Sequence, residues 1–84
     1  LMGEQVFPGV RHSVARILVR PGAESPRERH AEASETAVLL SGEITCVIEG
    51  KPVELWPGDV ALIPAGAHHY LRNESRQAAT VLLS

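Results

Sequence analysis

The stretch 58-GDVALIPAGAHHYLRN-73 decides the fold of this chain. Its first aliphatic run, 60–63, is four residues long and is followed at once by Pro64 and Gly66. Proline fixes its own φ and glycine accepts positive φ, so these two residues predict a turn after the run. A second extended run with adjacent histidines at 68 and 69 follows the turn. The stretch therefore predicts two short strands joined by a tight turn.

Similar short runs lie on both sides of this stretch. They are rich in β-branched and aliphatic residues, which favour strands, and they cover 14–19, 36–40, 44–48, 53–56 and 80–83 in addition to 60–63. No window of 11 or more residues has the apolar repeat of a helix. The segment 49–52, Glu-Gly-Lys-Pro, predicts a hairpin turn in which Pro52 ends the strand pairing. We predict an all-β fold, a sandwich or barrel.

Length and composition limit the classes of protein to which the chain can belong. With 84 residues, 44% hydrophobic and 21% charged, it fits a single globular domain over 1–84. A core this small predicts a homodimer whose apolar terminal strands, including 81–83, are covered by the partner subunit. The net charge of −2, without blocks of like charge, argues against nucleic acid as a partner. The sequence has no apolar run long enough for a membrane-spanning helix. A lone cysteine and the lack of a leader pattern predict a cytoplasmic protein.

Three side chains that could carry chemistry are better explained by packing. Cys46 shares its strand parity with Ile44 and Ile48, which predicts a small core residue and not a nucleophile. Trp56 and Tyr70 predict core or dimer contacts, because the chain has so few aromatic residues.

Four ionisable residues have spacings that predict a shared site. Glu28 and His30 are two residues apart, so in an extended strand both point to the same face. Glu35 opens the apolar run 36–40 with inward parity, where a lone carboxylate is costly unless it is paired, protonated or bound to a cation. Of the adjacent histidines, parity with the apolar Leu71 favours His69 as the inward one.

Two segments resemble the paired motifs of the cupin superfamily. Residues 58–73 fit the second cupin motif, G-x5-P-x-G-x2-H-x3-N, at every fixed position. Residues 28–42 are similar to the first motif, H-x-H-x4-E-x6-G, except that Glu28 stands where the motif has its first histidine. Together the motifs span residues 28–73, with 15 residues between Gly42 and Gly58. The resemblance implies a small jelly-roll β-barrel, or double-stranded β-helix, of the single-domain type and usually dimeric.

The same resemblance implies a divalent metal ion held inside the barrel by His30, Glu35 and His69, with Glu28 in the place of a further histidine. Two imidazoles and one carboxylate leave coordination positions open and suit Fe(II), with Mn, Ni, Co and Zn as alternatives. The function it implies is a metal-dependent enzyme, an oxygenase or isomerase, acting on a small organic molecule held in the barrel. Glu28 would be a fourth ligand or a catalytic base beside the ion.

Two other interpretations stay open at this point. The barrel could be a non-catalytic module that binds or senses a metal or metabolite, because this fold hosts many functions. It could also be a metal-free dimeric barrel in which the histidine and glutamate side chains pair with Arg27, Arg29 or Arg72.

Overall fold

Short antiparallel strands make up most of the described chain. The computed structural model describes residues 5–6 and 13–84, and within these ranges it contains strands, turns and loops but no helix. No helix in this part of the chain is long and apolar enough to cross a membrane. The strands are β1 (Gln5–Val6), β2 (Ser13–Val19), β3 (Glu28–Arg29), β4 (Glu35–Ser41), β5 (Ile44–Ile48), β6 (Lys51–Leu55), β7 (Val60–Ile63), β8 (His68–Arg72) and β9 (Ala79–Leu83).

The strands form two antiparallel sheets. One sheet has the order β1-β2-β9-β4-β7 and the other has the order β3-β8-β5-β6. Each sheet joins strands that are distant along the chain: β2 pairs with β9, and β5 pairs with β8. Two antiparallel sheets that share a core in this way form a jelly roll, so the predicted all-β fold is confirmed.

Alternation along the strands explains which side chains fill the space between the sheets. In β4 and β9 the odd-numbered residues from 37 to 39 and from 79 to 81 are fully buried, while their neighbours are only partly so. Aliphatic side chains from both sheets pack in one cluster, whose largest members include Leu39, Ile63, Val81 and Leu71. The six predicted strand runs are all found, the extended run with the adjacent histidines is β8, and the structure adds β1 and β3.

The hairpin between β5 and β6 is tighter than the sequence predicted. Ile48 pairs directly with Lys51, so only Glu49 and Gly50 form the loop, with φ values of 50° and 75°. Two positive φ angles match the type I′ turn, which suits the right-handed twist of the strands. The prediction that Pro52 ends the pairing is therefore wrong. Pro52 lies within β6 opposite Val47, and it is tolerated there because β6 is an edge strand.

The packing predictions for Cys46 and the aromatic residues have different outcomes. Cys46 is fully buried in the core, as predicted, and burial with a smaller contribution from Glu35 raises the pKa of its thiol to about 11. Tyr70 lies on the outer face of its sheet under the guanidinium of Arg27, 4.1 Å from the ring centre. Trp56 is not a core residue, because 57% of it is exposed.

The single-domain prediction also includes residues 1–4 and 7–12, which lie outside the described residues, and it stays a prediction.

Candidate metal centre

Four side chains, three on strands and one just after a strand, converge at a partly open site of the barrel, which we call the mouth. β3 pairs with β8 so that Glu28 lies directly opposite His69. His30 follows β3 by one residue, and Glu35 is the first residue of β4 in the other sheet. We refer to Glu28, His30, Glu35 and His69 as the donor cluster. The sequence predicted all four members, and the structure brings all four together.

The nitrogen and oxygen atoms of the donor cluster lie within a few ångströms of one another. Oε1 of Glu35 is 3.3 Å from Nε2 of His30 and 3.2 Å from Nε2 of His69. Oε2 of Glu28 is 3.2 Å from Nε2 of His30. Glu28, His30 and His69 each offer a ligand atom, and these three atoms lie within 4.8 Å of one another. The two imidazole rings are stacked, with centroids 6.0 Å apart.

A backbone carbonyl sets the tautomer of His69. Nδ1 of His69 lies 3.2 Å from the carbonyl oxygen of Ala67. A carbonyl can only accept, so Nδ1 must carry the proton and donate it to this bond. In the neutral ring, Nε2 then has a free lone pair directed away from Ala67. This hydrogen bond to the second ring nitrogen is the arrangement found for histidines that bind metals.

Two buried atoms in the donor cluster have no hydrogen-bond partner among residues 5–6 and 13–84. They are Nε2 of His69 and Oε1 of Glu35, on side chains that are 5% and 17% exposed. In the neutral ring, the lone pairs of Nε2 and Oε1 face each other across 3.2 Å, which is unfavourable in a buried place. A proton on Nε2 or a metal cation between the two atoms removes this cost.

The donor set also suits a divalent metal ion in distance and type. Ligand atoms about 2.1 Å from a common ion lie roughly 3.0–3.4 Å from each other in octahedral or tetrahedral geometry. The three measured contacts of 3.2–3.3 Å fall in this range. Two imidazoles and two carboxylates are ligands that Mn, Fe, Co, Ni and Zn accept. The residues present therefore fit the group that the sequence motifs imply.

The turn at 64–66 holds His30 in place through the backbone. The N–H of Gly66 donates to the carbonyl of His30 at 2.7 Å, and Nε of Arg29 donates to the carbonyl of Gly66 at 3.1 Å. Sequence reasoning missed these contacts and the role of the Ala67 carbonyl. Contacts to backbone groups cannot be recognised from residue types. Arg29 and Gly66 are also 37 residues apart in the sequence.

The three arginines offered as alternative partners contact other groups. Arg27 lies 3.4 Å from Glu24 and covers Tyr70, while Arg72 lies 3.3 Å from Glu74. Arg29 donates to Gly66. The arginine pairs predicted for a metal-free site, with the histidine and glutamate side chains of the donor cluster, are therefore not the contacts that these arginines make.

The donor cluster is buried on one side and open on the other. Glu35 and His69 lie inside, whereas the side chains of His30 and Glu28 are 50% and 49% exposed. The core of the barrel is occupied by fully buried side chains, among them Leu39, Ile63 and Cys46. A small molecule would reach the centre from solvent, on the side of Glu28 and His30.

Comparisons with known proteins agree with this architecture. The family model described as Cupin domain matches residues 15–84. A segment of 66 residues is 39% identical to the endoribonuclease YbeY of Myxococcus xanthus and covers 79% of this chain but 22% of that protein. Germin-like protein 5-1 of Oryza sativa subsp. japonica is 37% identical over 79 residues, covering 86% of this chain and 34% of the relative. The chain thus spans between about a fifth and a third of these relatives.

A solved structure resembles the fold and the sequence together. It is a sugar phosphate isomerase of the cupin superfamily from Silicibacter pomeroyi, which is 31% identical with a TM-score of 0.76. The alignment covers 84% of this chain and 47% of that one. Because the family model matches far more than half of the sequence and the described strands form the same barrel, this chain belongs to the cupin family.

Proposed function

We propose that this cupin binds one divalent metal ion at the mouth of the barrel and acts there as a metal-dependent enzyme on a small organic molecule. The observation that carries the proposal is the pair of unpartnered buried atoms, Nε2 of His69 and Oε1 of Glu35, 3.2 Å apart. His30, Glu35 and His69 would hold the ion, and Glu28, on the solvent side, would be a fourth ligand or a base beside the ion. The family relationship and the isomerase of similar fold support this assignment.

The chain's own residues have separable roles in this proposal. A bound divalent ion would supply Lewis-acid polarisation of an oxygen on the substrate. His69 and Glu35 are fixed by burial, and the Ala67 carbonyl keeps the proton of His69 on Nδ1. Glu28 is half-exposed at the mouth, so its carboxylate can accept a proton from a molecule arriving from solvent. Isomerisation and oxygenation are both compatible with such a base beside an open metal position.

Metal analysis of matched histidine variants tests the metal site. The protein is purified without a His tag or added metal, and its metal content is measured by mass spectrometry. We expect about one ion per chain in the wild type and in His68→Ala, because His68 is exposed and lies outside the donor cluster. We expect the ion to be lost in His69→Ala and in His30→Ala. His30 is half-exposed, so this second variant should keep the fold, which circular dichroism verifies.

The result that would overturn the metal site is an unchanged metal content in both His69→Ala and His30→Ala. A wild-type protein that stays metal-free after incubation with Mn(II), Fe(II), Co(II), Ni(II) and Zn(II) would overturn it equally.

The open mouth favours one second candidate, a non-catalytic module that binds a metal or metabolite. Catalysis usually gains from excluding water, yet the side chains of Glu28 and His30 are half-exposed. The metal-loaded protein is therefore assayed for isomerisation of sugar phosphates and for oxygen uptake with diketones, phenols and thiols. Turnover that disappears in Glu28→Gln supports the enzyme. Stoichiometric metal without any turnover supports the binding module.

A further inference from the structure

A small depression lies on the outer surface of the four-stranded sheet, away from the mouth. Its volume is about 210 Å³, and its lining includes Thr45 of β5, Glu54 of β6 and Trp56. Thr45 pairs with Glu54 and with Arg72 of β8, so these three side chains stand in one row on the same side of the sheet. Cys46, the next residue along β5, is fully buried in the core, so Thr45 points to the outer side. The depression forms because a short side chain stands between longer ones.

The depression is separate from the donor cluster. On β5, Ile48 pairs with His69 of the donor cluster, whereas Thr45 lies three residues nearer the start of the strand. At about 3.3 Å per residue, the two positions are roughly 10 Å apart along the strand. Thr45 also faces the outer side of the sheet, whereas Ile48 shares the inward parity of Cys46. A ligand in the depression would therefore not contact a metal ion at the mouth.

The floor of the depression holds a polar group that lacks a partner. Thr45 is only 9% exposed. Among residues 5–6 and 13–84 its hydroxyl forms no hydrogen bond, although the hydroxyls of Ser25 and Ser75 do. A buried hydroxyl without a partner is costly, and its oxygen can accept a hydrogen bond. Because Thr45 lines the depression, a ligand with an N–H group can supply the missing partner there.

Three carboxylates surround this hydroxyl. Glu43, Glu54 and Glu74 all line the depression. Glu74 lies 3.3 Å from the guanidinium of Arg72, whereas Glu43 and Glu54 have no basic partner in the part of the chain that the structure describes. Two uncompensated negative charges on one concave surface attract cations and repel anions. The depression therefore favours a positively charged ligand.

Trp56 adds an aromatic surface beside the carboxylates. It is 57% exposed, and the loop that carries it is fixed by Asp59. The backbone N–H of Trp56 donates to Oδ2 of Asp59 at 2.9 Å, and the N–H of Asp59 donates to the carbonyl of Trp56 at 2.9 Å. Indole is the best aromatic partner for a cation, and a planar guanidinium can stack on it while its N–H groups bind carboxylates.

We propose that the depression binds a guanidinium group, carried by a small molecule or by an arginine side chain. The indole of Trp56 stacks on the guanidinium, Glu43 and Glu54 accept its N–H groups, and the Thr45 hydroxyl accepts one more. The volume of about 210 Å³ is smaller than the roughly 300–1,000 Å³ of sites for drug-sized ligands, so it suits one such head group. This site does not depend on the metal centre or on its chemistry.

Fluorescence titration of the full chain tests the proposal. Trp56 is the only tryptophan, so its emission reports on this site directly. With ethylguanidine as the probe, we expect a saturable change in emission with a Kd of about 1 mM or lower. Ethylurea has nearly the same shape but no charge, and it should give no saturable change.

Three variants assign the binding to this depression. Glu54→Gln and Thr45→Val should each weaken ethylguanidine binding about tenfold, because each removes an acceptor for a charged donor at nearly constant size. Glu49→Gln is the matched control, since it removes the same charge in the hairpin at the other end of β5 and its amide oxygen can still accept the N–H of His68. Its affinity should equal that of the wild type, and circular dichroism verifies that each variant is folded.

Three results would each overturn the guanidinium site. They are a wild type without a saturable response to ethylguanidine at about 20 mM, an equal response to ethylurea, and wild-type affinity in both Glu54→Gln and Thr45→Val. The same titration with a Gly-Arg-Gly peptide, blocked at both ends, distinguishes the two sources of the group. Peptide binding about tenfold tighter than that of ethylguanidine would support an arginine side chain, whereas equal affinity would support a free small molecule.

Discussion

Glu28 places a second carboxylate at the mouth, where the motif of the family has a histidine. Carboxylate oxygen suits Mn(II), whereas imidazole suits Ni(II) and Zn(II). In Glu28→His we therefore expect the ratio of bound Ni(II) to bound Mn(II) to rise about tenfold or more relative to the wild type. Equilibrium dialysis against equal concentrations of both ions, followed by elemental analysis, measures the ratio.

The control for this experiment adds the same imidazole far from the mouth. Glu54 is exposed on β6 and pairs with Thr45, away from the donor cluster, so Glu54→His should leave the Ni(II) to Mn(II) ratio unchanged. An equal ratio in the wild type and Glu28→His would show that Glu28 does not select the ion. The metal site itself could still stand, because His30, Glu35 and His69 would hold the ion.

Individual side-chain directions could be predicted from the sequence because strand parity is strict. Parity with Leu71 identified His69 as inward, and parity with Ile44 and Ile48 identified Cys46 as a core residue. The exposure of Glu28 and His30 could not be predicted in the same way. It depends on where β3 ends and on which residues cover the mouth. The alternation of apolar and polar residues along a strand predicts neither.

At the scale of the elements, the turn after β4 depends on a glycine in close contact with another segment. Gly42 has φ +87°, and a Cβ there would lie 2.6 Å from the carbonyl oxygen of Ala78 and 2.9 Å from Cα of Ala79. Gly42→Ala should therefore lower the free energy of unfolding by about 2–4 kcal/mol, from the left-handed conformation and the overlap together. Urea denaturation measures the change.

Gly50 separates the two contributions. It has φ +75°, but a Cβ there would meet no atom within 4 Å, so Gly50→Ala tests the backbone conformation alone. We expect a loss of about 1–2 kcal/mol for this variant. If both substitutions cost the same, the close approach of Gly42 to Ala78 would have no energetic role.

The strands themselves were well predicted where the residues are β-branched or aliphatic. β3 and β8 are less evident, because their residues are mostly charged or histidine: Glu28 and Arg29 in one, His68, His69 and Arg72 in the other. Their place in the four-stranded sheet comes from pairing with each other and with β5. The β-propensity of individual residues therefore gives only a weak prediction of β3 and β8, which carry part of the donor cluster.

At the scale of the whole molecule, the sequence motifs predicted the barrel but not which strands lie side by side in it. The five-stranded sheet has the order β1-β2-β9-β4-β7, which differs from the order of these strands in the chain. Residue types do not encode such pairings, because they join segments that are distant in the sequence.

Metal binding should stabilise the whole barrel, because the donor cluster joins β3 and β8 of one sheet to β4 of the other. An ion at a hundred times its dissociation constant adds about 2.7 kcal/mol when it binds only the folded state. For a domain of this size that corresponds to a rise in Tm of about 10–20 °C. Thermal unfolding followed by circular dichroism, in EDTA and in Mn(II), measures the shift. His68→Ala should keep the shift, whereas His69→Ala should unfold at the same temperature in both solutions. Equal Tm values for the wild type with and without metal would mean that no ion links the two sheets.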